Sequence, residues 1–354
     1  MLYTADAIAS DTVVEMTRDL SARDWDAFVD AHPDATGAHV HGWRGIFEDV
    51  LGHRCEYLAS RRGGAVTGVL PLVKFRSRLF GRFVVSLPFL NNGGLLTTDD
   101  DSARALIEAA RGIGNAFGAA HIELRHRDRQ MPDLPSRDHK VGMLLPLTGN
   151  GEAMWNALDR KVRNQVRKAQ KSELEAISGG EALLDEFYAV FARNMRDLGT
   201  PVLSKRFFGE VLRRFPQRAC VFVVRHKGQP VAASLPIVHR GTFEVPWASS
   251  LKQFRQLCPN MLLYWTMIEA AAARGCTVFD FGRSTPDAGT YHFKLQWGAV
   301  PRPLHWEYAL LSGRSIPDQG PSNPRFKAAI AAWTKLPLWM TVAFGPSIVR
   351  NIPG

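Results

Sequence analysis

The pattern of apolar and polar residues occurs twice along the chain, at an offset of 165 residues. Each copy contains four apolar residues with the spacing of one helical face: Trp43, Ile46, Phe47 and Val50 in the first copy, and Phe208, Val211, Leu212 and Phe215 in the second. Each copy then predicts a strand, a tight turn with a glycine and a second strand, over residues 55–74 and 220–239. The chain is therefore predicted to contain two similar units in tandem.

The segments on either side extend this correspondence. An amphipathic helix precedes each copy, around Trp25 in the first half and over 183–198 in the second. A third strand, a helix, a fourth strand and a final strand follow, and we expect the final strands, 141–147 and 305–311, to complete their own halves. Tightly joined strands favour antiparallel pairing, whereas the later helix favours a crossover. Each half is therefore predicted to be an α+β domain with a mixed, largely antiparallel sheet.

Length and charge add two expectations. A chain of 354 residues, 45% of them hydrophobic, corresponds to about two domains, which we predict at 1–150 and 151–312, followed by a proline-containing apolar tail at 313–354. The 44 Lys and Arg exceed the 34 Asp and Glu, which gives a net charge of +10. This excess favours an anionic partner, namely nucleic acid, a phosphorylated ligand or a membrane surface, with a generally basic protein as the alternative.

The two ends of the chain bear on its location. Residues 1–11 contain no basic segment followed by an apolar run, so no secretory signal is predicted and we expect a cytoplasmic protein. Residues 336–349 are uncharged, but this stretch is too short, and too rich in proline, to cross a bilayer as one helix. The tail therefore either packs on the protein or makes a peripheral contact with the inner face of the membrane over 333–350.

The most concentrated positive charge lies at the start of the second unit. Residues 160–171 contain six basic residues and no acidic one. Arg160, Arg163, Arg167 and Lys171 recur at spacings of three and four and share one helical face. Such a stripe is suited to the phosphates of a nucleotide sugar, a lipid pyrophosphate or tRNA. The alternative is a basic face that meets only solvent.

A second group of candidate residues surrounds the apolar strand at 278–281. Strand alternation places Asp280 on one face, and a carboxylate in an apolar strand needs a partner, for which Arg283 is the candidate. Asp280 is interpreted either as a proton acceptor or as an organiser of the site. Arg283 and Ser284 stand where the strand ends and are suited to an anionic group, and Tyr291 offers a hydroxyl donor. The four cysteines have no metal-ligand spacing, so no metal site is predicted.

The order α-α-β-β-β-α-β resembles the GNAT acyltransferase fold, also called the acyl-CoA N-acyltransferase fold, and two copies in tandem resemble the FemAB-like family. The resemblance is carried by the segments 69–72, 86–89, 160–168, 198–201, 279–284 and 293–298. Together these segments are similar to the FemAB-related proteins associated with exosortase/PEP-CTERM systems, which accompany exopolysaccharide synthesis. The fold implied is two tandem GNAT-like domains, with the active site in the second.

This resemblance implies transfer of an acyl or aminoacyl group to an amine of a cell-envelope or exopolysaccharide precursor, a phosphorylated or lipid-linked small molecule. It also implies that Lys294, in the pair Phe293-Lys294, stabilises the oxyanion that develops during transfer. Phe293 then either stacks on the donor or packs in the core. The alternative function is a non-catalytic tandem module that binds RNA or an anionic membrane or envelope ligand.

The acyl donor stays open between aminoacyl-tRNA and acyl-CoA, and no bound cofactor is predicted. Residues 250–260 lack the glycines with which acetyl-CoA-dependent relatives bind pyrophosphate, which argues against acetyl-CoA. The chain also lacks an obvious long helical hairpin of the kind some FemA-like proteins contain, which leaves the use of tRNA open. The sequence does not indicate the oligomeric state.

Overall fold

The computed structural model of the chain describes residues 12–16, 20–78, 80–312, 315–316 and 324–352. Residues 1–11, for which no secretory signal is predicted, lie outside the described residues. The same applies to 313–314, 317–323 and 353–354 within the predicted tail.

The first half alternates helices and strands in the predicted order. Its helices are α1 (Ala22–Ala31), α2 (Trp43–Asp49) and α3 (Asp100–Phe117). Its strands are β1 (Thr12–Met16), β2 (Arg54–Arg62), β3 (Ala65–Ser77), β4 (Gly81–Val85), β5 (Leu96–Thr97), β6 (His121–His126), β7 (Ser136–Arg137) and β8 (Val141–Pro146).

The second half repeats this order, and two further helices follow it. Its helices are α4 (Gly151–Ala157), α5 (Arg160–Gln170), α6 (Leu184–Asp197), α7 (Lys205–Arg214), α8 (Pro259–Ala273) and α9 (Gly289–Leu295), with α10 (Pro324–Trp333) and α11 (Leu338–Val349) in the tail. Its strands are β9 (Leu174–Gly179), β10 (Val221–His226), β11 (Gln229–His239), β12 (Thr242–Ser250), β13 (Val278–Ser284), β14 (Val300–Pro303) and β15 (His305–Leu310).

The strands form two mixed sheets. The order in the first is β1-β2-β3-β4-β6-β15-β7, with β5 beside β3, and the order in the second is β14-β8-β13-β12-β11-β10-β9. Among the described residues, the parallel pairs are β4 with β6 and β12 with β13, whereas the other neighbours pair antiparallel. The predicted α+β class with mixed, largely antiparallel sheets is confirmed.

The two sheets exchange their final strands, which the sequence analysis did not anticipate. Strand β8 pairs with β13 and β14 of the second sheet, and β15 pairs with β6 of the first. The expectation that each final strand completes its own half is therefore wrong. Polar complementarity favours the exchange, since the Tyr308 hydroxyl donates to Glu123 at 2.9 Å and Glu307 accepts from His126 at 2.5 Å. The boundaries 1–150, 151–312 and 313–354 stay a prediction about domains.

A shared core lies between the sheets and joins the halves. Helices α1 and α2 of the first half and α6 and α7 of the second contribute to one apolar cluster. In it, the Trp43 ring lies 4.9 Å from Phe215 and 6.4 Å from Trp247. Helix α3 covers the outer face of the first sheet, and α5 and α8 cover the outer face of the second. The halves are thus packed over a large apolar surface, and side chains of one half reach the strand ends of the other.

Candidate active site

A fork opens between the two parallel strands of the second sheet. Strands β12 and β13 pair from Thr242 and Val278 only as far as Glu244 and Asp280. Beyond this point β12 continues along β11 to Ser250, whereas β13 continues along β8. The fork therefore opens beside two carboxylic acids on adjacent strands.

A bulge at Gly282 shapes the β13 side of the fork. The register between β13 and β8 shifts between Asp280 and Arg283, and Gly282 has a φ of +74°. A Cβ atom at this position would lie 3.1 Å from the Val245 carbonyl oxygen, so the conformation and the close approach both require glycine. The Gly282 amide donates to Asp280 Oδ1 at 2.7 Å, which fixes that carboxyl group in the fork.

Lys294 is buried beside the bulge. Helix α9 places its side chain under the end of β13, where it is only 7% exposed. Its Nζ donates to the carbonyl oxygens of Gly282 at 3.1 Å and Arg283 at 2.9 Å. Burial lowers the Lys294 pKa to about 8, although the nearby Asp280 acts in the opposite direction. The structure thus places a cation at a fixed point of the fork.

The half-buried Glu244 and the buried Asp280 form an acid pair on adjacent strands. Burial is the largest cause that raises the pKa of Glu244, and the adjacent Asp280 raises it further, to about 8. Burial also raises the pKa of Asp280, whereas the Gly282 amide and the cations Arg127 and Lys294 lower it. Two such carboxyl groups titrate as a unit and hold one proton between them over a range of pH. The pair can accept or release a proton near neutral pH.

The first half of the chain contributes to this fork. Asn91 Nδ2 donates to Glu244 Oε1 at 3.4 Å, and the Asn91 carbonyl oxygen accepts from the Trp306 indole at 3.4 Å. The Arg127 guanidinium acts electrostatically on both acids. Glu244, Asn91 and Arg127 were not predicted from the sequence. Glu244 could have been noticed, because it is the single acidic residue in an apolar strand, as Asp280 is in the neighbouring one.

Arg283 does not pair with Asp280, and the predicted partnership is wrong. Its guanidinium lies 5.3 Å from the Trp306 ring, on which the Arg125 guanidinium also stacks at 4.1 Å. The register shift inserts one extra residue between Asp280 and Arg283, and the Arg283 guanidinium lies over Trp306 rather than beside the acid. Burial, and then the charge of Arg125, lower the Arg283 pKa to about 10.

The remaining predicted residues near Lys294 occupy different environments. Ser284 is 4% exposed, and its buried Oγ has no hydrogen-bond partner among the described residues. The Phe293 ring packs edge-on against Tyr264 at 5.1 Å. Tyr291 is half-buried beside His292. Phe293 is therefore seen in a packing role, while the roles predicted for Ser284 and Tyr291 stay predictions.

The predicted basic stripe forms helix α5, away from this cluster. Arg160, Arg167 and Lys171 are exposed and Arg163 is half-buried. Helix α5 packs on α8 and β9, which is the opposite edge of the sheet from β8. An open cleft of about 530 Å³ is lined here by Asp159, Arg160, Lys161, Asn164, Gln165 and Lys168. The structure therefore does not bring the stripe into contact with Lys294, and phosphate binding by α5 stays a prediction.

The family comparison matches the same part of the chain. Residues 157–295 match the family model of the Acetyltransferase (GNAT) domain. This range begins just before α5 and ends one residue after Lys294, so it includes the basic helix, the fork and the bulge. A comparison of the sequence with curated proteins finds no match.

Several solved structures share the fold. The chain is similar to FemX, with a TM-score of 0.62 and 16% identity over 81% of this chain and 96% of that chain. It is similar to L-PGS from Bacillus licheniformis, with a TM-score of 0.55 and 12% identity over 90% and 98%. A tandem GNAT protein from the clavulanic acid biosynthesis pathway matches with a TM-score of 0.51 and 12% identity over 86% and 100%. The chain thus has the tandem GNAT fold.

Proposed function

We propose that this protein is an N-acyltransferase or aminoacyltransferase whose active site is the fork of the second sheet. The observation that carries the proposal is the cluster of Glu244, Asp280 and Lys294, which lies inside the range matched by the acetyltransferase-domain model. An acid pair able to exchange a proton near neutral pH, next to a buried cation, supplies what acyl transfer to nitrogen requires.

The proposed reaction balances as follows. The amine nitrogen of the acceptor attacks the acyl carbonyl carbon, and the bond from that carbon to the leaving oxygen or sulfur breaks. The amine loses a proton to the pair of Glu244 and Asp280, of which Glu244 is the more exposed, and the pair returns a proton to the leaving group. The Lys294 ammonium has three N–H donors, of which two are used by backbone carbonyls. Its charge stabilises the oxyanion of the tetrahedral intermediate.

The acceptor we propose is an amine of a phosphorylated or lipid-linked cell-envelope or exopolysaccharide precursor. Support comes from the resemblance to the FemAB-like proteins of exosortase/PEP-CTERM systems and from the cations of α5, which suit a phosphate group. The unpartnered hydroxyl of Ser284 and the guanidinium of Arg283 are further candidate contacts at the strand end. The donor is an aminoacyl-tRNA or an acyl-CoA.

The test is a product search with each donor class supplied separately. Purified protein is incubated with an envelope-precursor extract and either a charged-tRNA pool or an acyl-CoA pool, and acylated amines are detected by mass spectrometry. We expect a product with one donor class, absent or strongly reduced for Lys294→Ala. Lys227→Ala is the matched control, since Lys227 is exposed and lies on a turn outside the fork.

Two results would contradict the proposal. The first is an absence of product with both donor classes while the protein binds RNA or anionic vesicles in a salt-dependent way, which is the behaviour of a non-catalytic module. The second is a product that Lys294→Ala forms at the rate of the unaltered protein. Either result would place the function outside the fork.

A further inference from the structure

The last helix of the chain presents an uncharged apolar side to solvent. On α11, Trp339 is 68% exposed, Phe344 53% and Ile348 37%. The opposite side of the helix is buried and packs against α6. From Lys335 to Arg350 the chain contains no other charged residue. Large apolar side chains exposed along an uncharged helix indicate an interaction site.

A cleft of about 330 Å³ at the C-terminal end of α11 gathers positive charge. Its lining includes Arg54, Lys74, Arg76 and Arg350. Arg54 and Lys74 stand directly opposite each other on β2 and β3, and Arg76 stands opposite Arg82 on β3 and β4. Like charges at directly opposite positions destabilise a sheet. The rest of the fold therefore compensates for the repulsion between these cations.

Most of this charge is not neutralised within the protein. Lys74 pairs with Glu56 at 2.5 Å. In the part of the chain that the structure describes, Arg54, Arg76 and Arg350 have no carboxylate within ion-pair distance. The cleft therefore offers three guanidinium groups to an anion, and guanidinium groups are well suited to phosphate.

We propose that α11 and the basic cleft, together called the docking surface, bind an anionic phospholipid bilayer. The exposed side chains Trp339 and Phe344 enter the interface between headgroups and acyl chains, and the cleft at the helix end binds a lipid phosphate. A helix of 12 residues is about 18 Å long and lies along the membrane surface in this arrangement. In the residues that the structure describes, no helix has the length and apolar character needed to cross a bilayer.

Charge favours a lipid bilayer over a second copy of the chain as the occupant. A symmetric dimer through α11 would repeat the same cationic cleft on both sides of the interface, and each chain carries a net charge of +10. An anionic leaflet instead attracts the cations next to an inserted apolar face. Trp339 near the start of the helix also matches the preference of tryptophan for the membrane–water interface.

The experiment is vesicle flotation of the full chain, and it uses no acyl donor, so its outcome is independent of the proposed function. Vesicles of phosphatidylcholine alone are compared with vesicles that contain about one third phosphatidylglycerol. We expect the protein to float with the anionic vesicles and to bind the neutral ones much more weakly. Each cation near an anionic surface contributes about fivefold to the partition coefficient.

Two double variants separate the apolar and the charged contributions. Trp339→Ser/Phe344→Ser removes exposed side chains, so the fold is retained, and we expect a loss of binding of roughly tenfold or more per side chain. Arg76→Gln/Arg350→Gln is expected to weaken binding to anionic vesicles by roughly 25-fold. Lys227→Gln/Arg302→Gln removes the same charge from exposed positions elsewhere and serves as the matched control.

Three outcomes would overturn the proposal. They are failure of the unaltered protein to bind anionic vesicles, equal binding by the Trp339→Ser/Phe344→Ser variant, and equal losses for the two charge variants. Sedimentation of the free protein gives a further readout. A dimer that Trp339→Ser/Phe344→Ser dissociates would assign the docking surface to a second copy of the chain instead.

Discussion

The forks of the two sheets correspond to each other but are built differently. In the first sheet β4 and β6 pair in parallel as far as Glu123, just as β12 and β13 pair as far as Asp280. Glu123 and Asp280 therefore occupy equivalent positions. The difference lies in what surrounds each carboxylate.

In the first sheet, side chains and backbone groups of the protein occupy the space where β4 and β6 stop pairing. Glu123 accepts from Arg125 Nε at 2.7 Å and from the Tyr308 hydroxyl at 2.9 Å. The chain that leaves β4 turns back across the fork, so that Ser86 Oγ accepts from the Arg125 amide and the Gly94 amide donates to the Arg125 carbonyl oxygen. This carboxylate is fully partnered, which indicates a structural role.

The second fork differs from the first in its strand register and in the partners of its carboxyl groups. Strand β6 keeps a constant register with β15, so Glu123 and Arg125 lie on one face and pair. Strand β13 has an extra residue between Asp280 and Arg283, and the Arg283 guanidinium lies over Trp306. Asp280 then lies beside Glu244 and Lys294, and its pKa is raised. The first fork thus holds an ion pair, whereas the second holds two acids beside a buried cation.

The largest expected effect tests the structural role of the first fork. Arg125→Leu leaves the buried Glu123 without its ion-pair partner and should lower the free energy of unfolding by about 3–5 kcal/mol. Arg283→Leu, at the equivalent register position, should cause a much smaller loss because no carboxylate of the described residues accepts from Arg283. Urea unfolding of both variants measures the difference. Equal losses would show that the two arginines have the same role.

Next in size is the effect on catalysis of removing the buried cation. Lys294→Ala should lower kcat for acyl transfer by about 10²–10³-fold, as the removal of other oxyanion-stabilising groups does. Circular dichroism should show a folded protein. A variant that retains the full rate would assign Lys294 to support of the bulge alone.

The pH dependence of stability should reveal the acid pair. The Glu244 pKa is raised from 4.5 to about 8, so the folded protein binds an extra proton between these values. Stability from this group is therefore complete below about pH 4.5 and is lost as the pH rises towards 8. Glu244→Gln, which cannot ionise, should remove this decline in a series of thermal unfolding curves. The exposed Glu173→Gln is the control, and parallel curves for all three proteins would exclude a raised Glu244 pKa.

The smallest expected effect measures how much stability is lost when a Cβ atom at position 282 meets the Val245 carbonyl oxygen. Gly282→Ala combines a φ of +74° with a Cβ atom 3.1 Å from a carbonyl oxygen, whereas Gly228 has a φ of +80° and open space around it. The positive φ alone should lower stability by about 1–2 kcal/mol in each alanine variant. Gly282→Ala should lose more than Gly228→Ala and should also lose acyl transfer. Equal stability losses would mean that the bulge relaxes around a methyl group.

The local parts of this arrangement could be predicted from the sequence. The repeated helical faces placed α2 and α7, and strand alternation placed Asp280 opposite the Phe279 and Phe281 side. Both inferences depend only on spacing within one element. For the same reason they could not show which sheet β8 and β15 would join, since that choice depends on partners far away along the chain.

The site itself was only partly predictable. Arg283 was predicted as the partner of Asp280 because it is close in sequence, and closeness along the chain could not show that its guanidinium lies over Trp306. Asn91 and Arg127 reach the fork from the other half, and no local pattern joins residues that are more than 100 positions apart. Glu244 could have been found by asking which acid faces Asp280 across the parallel pair.

The most direct test of the acid pair is carboxyl ¹³C NMR over a pH titration. The unaltered protein should show a carboxyl resonance that titrates near pH 8. That resonance should disappear in Glu244→Gln and shift in Asp280→Asn, because the two groups titrate together. If every Asp and Glu carboxyl instead titrates near its ordinary value of about 4, the second fork holds no shared proton. The conclusion that the first fork is structural and the second is reactive would then be wrong.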